Sequence, residues 1–186
     1  MVVLITGGSG SGKSAYGEEL AVKLNKSELI YIATMKPYGI EGRERVNKHK
    51  KQRQGKGFTT MEVYEDLHKL ELLNYPTVLL ECMSNLLANE MFREDIPLES
   101  IVLEEVCEKI VVSINHLIHQ CQNVIIITNE IFGEGDGLYE STKNYIKCMG
   151  YINQRLSEVS DVFCEVIYGY PYFLKGSEDW RLYENN

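Results

Sequence analysis

Long apolar runs are missing from this 186-residue chain. No stretch approaches the roughly 20 apolar residues of a membrane-spanning helix. The start also lacks the basic segment, apolar stretch and cleavage site of a secretory signal. We therefore predict no membrane span and expect a cytoplasmic protein.

Positive charge is also scarce. The chain has 19 lysines and arginines against 27 aspartates and glutamates, a net charge of −8. A surface of this sign disfavours general binding to nucleic acid, so we predict no nucleic-acid partner. The length fits one domain able to bury roughly 70% of its unfolded surface.

The cysteines show no metal or disulfide pattern. Cys82, Cys107, Cys121, Cys148 and Cys164 are an odd number, are widely spaced and contain no C-x-x-C pair. Such spacing is typical of small core residues in a reducing compartment. We expect neither a disulfide framework nor a zinc site.

One glycine-rich segment near the start is highly specific. It fits the pattern G-x-x-x-x-G-K-[ST], whose backbone N–H groups cradle phosphates while its lysine reaches the β- and γ-phosphates and its hydroxyl holds Mg²⁺. The eight residues are Gly7, Gly8, Ser9, Gly10, Ser11, Gly12, Lys13 and Ser14. An apolar strand precedes them and a helical segment follows, which argues against a disordered linker. A dinucleotide-binding loop is excluded because it needs glycine where Lys13 stands. The segment predicts a nucleoside triphosphate site.

Apolar runs alternate with helical patterns along the rest of the chain. This alternation predicts an α/β fold, P-loop NTPase-like, whose mainly parallel sheet carries helices on both faces. We expect one nucleotide-binding domain over 1–176 and a polar tail over 177–186. Strands are predicted at 2–6, 29–33, 58–62, 77–81, 124–128 and 162–167. Helices are predicted at 14–24, 42–54, 64–73, 84–92, 98–121 and 139–159, with a glycine-rich loop at 133–137.

Polar residues follow several of these strands. In parallel sheets the carboxyl ends of strands meet at one edge, where ligands bind. Glu81 ends the apolar run at 77–81, the position of a carboxylate that binds Mg²⁺ beside a phosphate loop. The plain alternative is a surface carboxylate, and Glu130 is a weaker candidate of the same kind. We predict a metal site formed by Ser14 and Glu81.

A basic segment at 43–56 stands out in this acidic protein. It carries eight cationic or histidine side chains and one aliphatic residue, Val46, so it is no core helix. The segment is either a solvated face or an anion-binding element, with His49 at its centre. His116 and His119, three residues apart on a predicted helix, have no obvious third ligand and are expected to be ordinary helix residues.

Together these features resemble the bifunctional adenosylcobinamide kinase/adenosylcobinamide-phosphate guanylyltransferase family of cobalamin biosynthesis. The resemblance covers nearly the whole chain. It is carried by the phosphate loop, by Y-I-A-T at 31–34, by Arg45, His49 and Arg53, by T-N-E at 128–130 and by N-Q-R-L at 153–156.

The resemblance implies two reactions with Mg²⁺ and GTP or ATP. The enzyme would phosphorylate the corrinoid adenosylcobinamide, then transfer GMP from GTP to the product through a guanylyl group on His49. The family's nucleotide contacts map to the phosphate loop and to Ala33, Thr34, Met35, Lys50, Lys51, Gln52, Arg53, Glu62 and Glu81. It also implies a homo-oligomer, with a trimer suggested.

The chain departs from the family pattern in three places. Gly10 replaces an arginine in the phosphate loop, and the segments at 131–137 and 147–149 differ. These departures affect the expected kinase reaction and the expected corrinoid substrate more than the expected nucleotide binding. Two alternatives therefore stay open, which are a small-molecule kinase with an incidental His49 and a non-catalytic nucleotide-binding regulator.

Overall fold

A computed structural model describes residues 1–95, 102–131 and 139–176. The described chain forms a seven-stranded sheet with five helices. The strands are β1 Val2–Thr6, β2 Leu29–Ala33, β3 Thr59–Glu62, β4 Thr77–Glu81, β5 Asn123–Ile127, β6 Val162–Ile167 and β7 Tyr170–Lys175. The helices are α1 Lys13–Leu24, α2 Gly39–Arg53, α3 Met83–Met91, α4 Leu103–His119 and α5 Glu140–Val159.

The sheet has the strand order β3-β2-β4-β5-β1-β6-β7. All neighbouring strands are parallel except β6 and β7, which are antiparallel. The register brings the strand ends together: Ala33 pairs with Glu81, and Glu81 with Ile127. The predicted parallel α/β sheet with one polar edge is confirmed.

Both faces of the sheet are buried. Leu4, Leu80 and Ile126 contribute to a core with α3, α4 and α5 on one face. Ile5 and Leu79 point to the other face, where they share a core with residues of α1. Successive side chains of a strand point to opposite faces, so a strand covered on both sides is apolar throughout. This explains the continuous apolar runs, and helices on both faces are confirmed.

The helix predicted over 64–73 is wrong. The segment holds only a 3₁₀ turn at Leu67–Lys69, preceded by Asp66 in a left-handed conformation with φ 52°. Its backbone groups bond to distant side chains instead. The Asp66 N–H donates to Glu90 at 2.7 Å, and the Leu72 N–H donates to Gln120 at 2.6 Å. These long-range hydrogen bonds replace the helical ones that apolar spacing predicts.

The expectation that all five cysteines are unpaired is also wrong. Cys107 of α4 and Cys148 of α5 form a disulfide, with Cα atoms 5.8 Å apart. The helices pack side by side and bring together residues 41 positions apart in sequence, a proximity that spacing alone does not reveal. Cys82, Cys121 and Cys164 are free and buried.

The remaining elements agree with the predictions to within a few residues, with one omission. β7 was not predicted, because its side chains alternate between half-buried and exposed and include a proline. The start of the helix predicted at 98, the loop at 133–137 and the tail at 177–186 lie outside the described residues. Within the described ranges, no helix is both long and apolar enough to span a membrane.

Candidate active site

The glycine-rich loop connects β1 to the start of α1. Gly10 and Gly12 have φ of 73° and 95°, a conformation that side chains disfavour. At Gly7 a Cβ atom would lie 2.6 Å from the carbonyl oxygen of Val166. Glycine is therefore required at these positions by conformation or by close packing, which gives the loop the shape of a phosphate cradle.

Lys13 is held inside this loop. Its Nζ donates a hydrogen bond to the carbonyl oxygen of Gly8 at 3.0 Å, and the residue is buried. Burial lowers the pKa of Lys13, partly offset by the nearby Cys82 and Glu81, which raise it. The cation thus lies at the centre of the cradle, where an anion would compensate its desolvation.

Glu81, at the end of β4, links several groups of the site. Its Oε1 accepts a short hydrogen bond from the Ser14 hydroxyl, and its Oε2 accepts one from the Tyr31 hydroxyl at 2.9 Å. The His49 Nδ1 lies 3.9 Å from the same Oε1. Burial raises the pKa of Tyr31, and the negative charge of Glu81 raises it further. The phenol therefore keeps its proton and remains a hydrogen-bond donor. The structure brings Ser14, Glu81 and His49 together.

Helix α2 positions His49, and its own attachment is sparse. Only Gly42 and Arg53 are buried along its 15 residues. The Arg53 guanidinium lies 3.4 Å from the centroid of the Tyr31 ring, a cation–π contact. Lys50 pairs with Glu62 at 3.2 Å. The basic segment is therefore a helix attached to the sheet at its C-terminal end.

Not all predicted contact residues face the site in the same way. Thr34 is fully buried, and its hydroxyl donates to the Cys82 carbonyl and accepts from the Cys82 N–H. That hydroxyl is used to join the ends of β2 and β4. Lys51 and Gln52 are exposed on α2. Ala33, Met35, Lys50, Arg53 and Glu62 line a small cavity of about 30 Å³ together with His49 and Glu81.

Glu18 of α1 is a site residue that the sequence interpretation missed. It is 1% exposed, its Oε2 accepts a hydrogen bond from Lys56 at 2.7 Å, and its Oε1 has no hydrogen-bond partner in the described part of the chain. One ligand atom each from Glu18, His49 and Glu81 lies within 4.8 Å of the others. Oxygen and imidazole donors in this arrangement can hold a divalent cation. The sequence contained an indication of this position, because Glu18 lies on the same face of α1 as the buried Gly17 and Ala21.

A larger cavity of about 520 Å³ adjoins this site between α2 and α3. Met35 lines both cavities. Lys36, Arg45 and Asn89 add polar groups to the larger one, and Tyr38 and Phe92 add aromatic surface. Glu41 also lines this cavity, so the space combines apolar walls with charged groups of both signs, a lining of the kind that binds small molecules.

The candidate residues outside this region have ordinary contacts. Glu130 is exposed at the end of the segment after β5, and its N–H donates to the Gly7 carbonyl at 3.4 Å. His116 lies 3.5 Å from Glu71, and the His119 ring contacts the carbonyl of Asn115 at 2.6 Å.

Comparison with known proteins shows the family of the chain. A family model described as "Cobinamide kinase / cobinamide phosphate guanyltransferase" matches residues 3–174. "Bifunctional adenosylcobalamin biosynthesis protein CobU" of Escherichia coli (strain K12) is 28% identical over 181 residues, covering 91% of this chain and 97% of that protein. The protein with the same description from Salmonella typhimurium (strain LT2) is 30% identical over 184 residues, with the same coverage.

Among solved structures, the flagellar accessory protein FlaH from Methanocaldococcus jannaschii has a TM-score of 0.48 and 13% identity, over 94% of this chain and 77% of that chain. The family match extends from β1 to β7 and includes the phosphate loop, His49 and Glu81. The chain belongs to the cobinamide kinase / cobinamide phosphate guanyltransferase family.

Proposed function

We propose that this protein is a bifunctional enzyme of cobalamin biosynthesis. It phosphorylates the hydroxyl of adenosylcobinamide with GTP or ATP, then transfers GMP from GTP to the resulting phosphate through a guanylyl group on His49. Family membership supports the pair of reactions. The observation that carries the histidine intermediate is the 3.9 Å distance between His49 Nδ1 and Glu81 Oε1, beside Ser14 of the phosphate loop.

In the guanylyl step, the lone pair of an unprotonated ring nitrogen of His49 attacks the α-phosphorus of GTP. A P–N bond forms, the P–O bond to the β-phosphate breaks, and pyrophosphate leaves with the electron pair. An oxygen of the corrinoid phosphate then attacks the same phosphorus, and the P–N electron pair returns to the imidazole. The replacement of pyrophosphate by the corrinoid phosphate is thereby divided into two displacements at the same phosphorus, with the imidazole as nucleophile in the first and leaving group in the second.

The cations around the site have defined tasks. Lys13 at the cradle offsets the charge of the phosphates and of leaving pyrophosphate. Lys50, three residues from Arg53 on the same helix, lines the small cavity beside His49 and pairs with Glu62. Arg53 holds α2 against Tyr31 and so fixes the direction of the imidazole.

The oxygen atoms of Ser14 and Glu81 fit Mg²⁺. They lie in direct contact, and oxygen donors are what this cation prefers. Bound there, Mg²⁺ would neutralise phosphate charge. Tyr31 fixes the second Glu81 oxygen, so the carboxylate keeps Oε1 directed at the Ser14 hydroxyl.

In the kinase step, the substrate hydroxyl oxygen attacks the γ-phosphorus, the bond to the β-phosphate oxygen breaks, and the hydroxyl proton is released. The nucleoside diphosphate leaves from the cradle. The cavity between α2 and α3, which meets the His49 cavity at Met35, offers space for part of the corrinoid. Lys36 and Arg45 of this cavity are paired with Glu65 and Glu41, so binding the phosphate that the first reaction creates would exchange one of these carboxylates for the phosphate.

The test is labelling of the protein with GTP that carries the isotope at the α- or at the γ-phosphate. We expect Mg²⁺-dependent incorporation of the α-label alone, in a bond that is labile to acid and stable to base. His49→Ala should abolish it, whereas Lys48→Ala, an exposed neighbour on α2, should not. Label from the γ-phosphate, or undiminished α-label in His49→Ala, would disprove the histidine intermediate.

The same experiment separates the alternatives. A simple kinase would transfer γ-label to adenosylcobinamide without ever labelling itself. A non-catalytic regulator would bind GTP and transfer neither label.

A further inference from the structure

The turn between β6 and β7 has an unusual residue at its first position. Only Tyr168 and Gly169 separate Ile167 from its partner Tyr170. Both have positive φ, 50° and 85°, as in a type I′ turn. That turn favours asparagine, aspartate or glycine at both positions, and a bulky residue with positive φ is strained. Here the first position is a tyrosine.

The tyrosine gains nothing from packing that would offset this conformation. Its side chain is 92% exposed, the highest value among the large hydrophobic residues described. An exposed aromatic ring held in an unfavourable backbone conformation is available to contact a ligand.

The turn is joined to the phosphate loop. The Gly169 N–H donates a hydrogen bond to the Ser11 carbonyl at 2.7 Å. A Cβ atom on Gly12 would lie 3.1 Å from the Gly169 Cα, so the two backbones are in contact. Tyr168 is therefore fixed at the rim of the cradle and moves with it.

The sheet order decides which part of a bound nucleotide lies near this turn. Glu81 lies on the β4–β5 side of β1, whereas the turn lies on the opposite, β6 side. Under the proposed function, Ser14 and Glu81 would hold the Mg²⁺ that offsets the charge of the terminal phosphates. The nucleoside end of the same molecule then extends away from Glu81, toward the turn.

We propose that the Tyr168 ring is a stacking platform for the base of the nucleoside triphosphate that donates its γ-phosphate. Every base has a flat π-face, so such a contact accepts both adenine and guanine. The guanylyl step differs, because its α-phosphorus must reach His49 on the Glu81 side. The two half-reactions thus share one phosphate cradle and place the base on opposite sides of it. This inference rests on the proposed function.

The test compares ligands with and without a base. Dissociation constants for ATP, GTP and inorganic tripolyphosphate are measured with Mg²⁺ in a His49→Ala background, which prevents covalent capture. Tyr168→Ala should weaken ATP binding roughly tenfold and leave tripolyphosphate binding unchanged. Tyr172→Ala, an exposed tyrosine on β7 of the same hairpin, should change neither.

A second variant separates this contact from a structural role. Tyr168→Asn suits the turn, so it should keep or raise the melting temperature while it weakens ATP binding as Tyr168→Ala does. Tyr168→Trp should show fluorescence quenching by ATP and not by tripolyphosphate, with the parent signal from Trp180 as baseline.

Each failure points to a different error. If Tyr168→Ala weakens the binding of ATP and of tripolyphosphate equally, or does not weaken ATP binding, the stacking platform is overturned while the proposed function stands. A protein with an intact Tyr168 that binds neither ligand would overturn both.

Discussion

At the scale of single residues, the site depends on charges buried around the phosphate loop. Lys13 lies inside its own loop with a pKa lowered mainly by burial. Glu18 is almost fully buried, and one of its carboxylate oxygens has no hydrogen-bond partner among the residues that the structure describes. Buried charges of this kind are costly unless partners compensate them, so a bound nucleotide and cation would relieve an existing penalty as well as add contacts.

Lys13→Ala should abolish tight GTP binding and preserve the fold. The substitution removes the cation of the cradle and also a desolvated charge, so the thermal midpoint should fall little or not at all. Calorimetry with GTP and a thermal melt by circular dichroism measure the two effects. GTP affinity equal to that of the parent would show that the loop is not the phosphate site.

Glu18→Gln should slow α-label incorporation about tenfold, as changes next to a metal or catalytic group commonly do. The amide keeps the shape of the side chain and removes the charge that faces His49 and Glu81. Glu19→Gln, exposed on the same helix, is the matched control. Equal rates in the two variants would show that Glu18 only pairs with Lys56.

At the scale of elements, α2 is the part of the site whose position is least secured. It presents an exposed polar surface over most of its length and is held by Arg53 stacking on Tyr31 and by the Lys50–Glu62 pair. The phosphate loop, in contrast, lies between a buried strand and a helix packed on the sheet. The nucleophile is therefore carried on an element that can shift relative to a fixed cradle.

Arg53→Ala should release α2 and leave the cradle intact. A desolvated cation–π contact contributes about 2 kcal/mol, a large share of the attachment of this helix. We expect faster hydrogen exchange over 39–53, a strong loss of α-label incorporation, and unchanged tripolyphosphate affinity. Lys48→Ala, exposed on the same helix, should leave all three at the parent values. Unchanged exchange in Arg53→Ala would show that the stacking does not hold the helix.

At the scale of the whole molecule, an ion-pair network joins the segment after β3 to α3 and α4. Asp66 accepts hydrogen bonds from Lys109 at 2.5 Å, from Lys69 at 2.8 Å and from Arg93 at 2.9 Å. These donors, Lys109 first, hold the pKa of Asp66 well below its ordinary value. The buried Glu90 accepts a hydrogen bond from the same Lys109 at 2.7 Å.

This network makes part of the stability depend on pH. A carboxylate whose pKa is depressed in the folded state stabilises the fold above its unfolded pKa of about 4, and this contribution is lost as the pH falls below that value. Asparagine tolerates positive φ, so Asp66→Asn can keep the backbone conformation at this position. At pH 7 the substitution should lower the free energy of unfolding by about 1–3 kcal/mol. The difference in free energy of unfolding between the parent and Asp66→Asn should shrink as the pH falls below about 4.

Urea unfolding of both proteins at pH 7 and at successively lower pH measures this difference. Asp95→Asn is the control, because Asp95 pairs with the same Arg93 at the exposed edge of the network, and its effect should be smaller. A difference between parent and Asp66→Asn that stays constant with pH would show that the charge of Asp66 is not its cause.

The sheet and the phosphate loop could be predicted from the amino-acid sequence, because both follow from local patterns. Strands buried on both faces are continuous apolar runs, and a cradle built from backbone N–H groups needs glycines at fixed spacing. The place of Glu81 after a buried strand made it a candidate as well, whereas the role predicted for His49 came from the resemblance to a family, because the basic segment alone left a solvated face open.

The remaining features depend on contacts between elements that are distant in the chain. The segment after β3 does not form the predicted α-helix, because Glu90 and Gln120, distant in sequence, accept hydrogen bonds from the N–H groups of Asp66 and Leu72. Cys107 and Cys148 pair because two helices pack together. Glu18 joins His49 and Glu81, and Tyr168 stands beside the phosphate loop, through contacts between elements that lie far apart in the chain. Sequence periodicity reports which face of an element is buried, and it carries no information about which element covers that face.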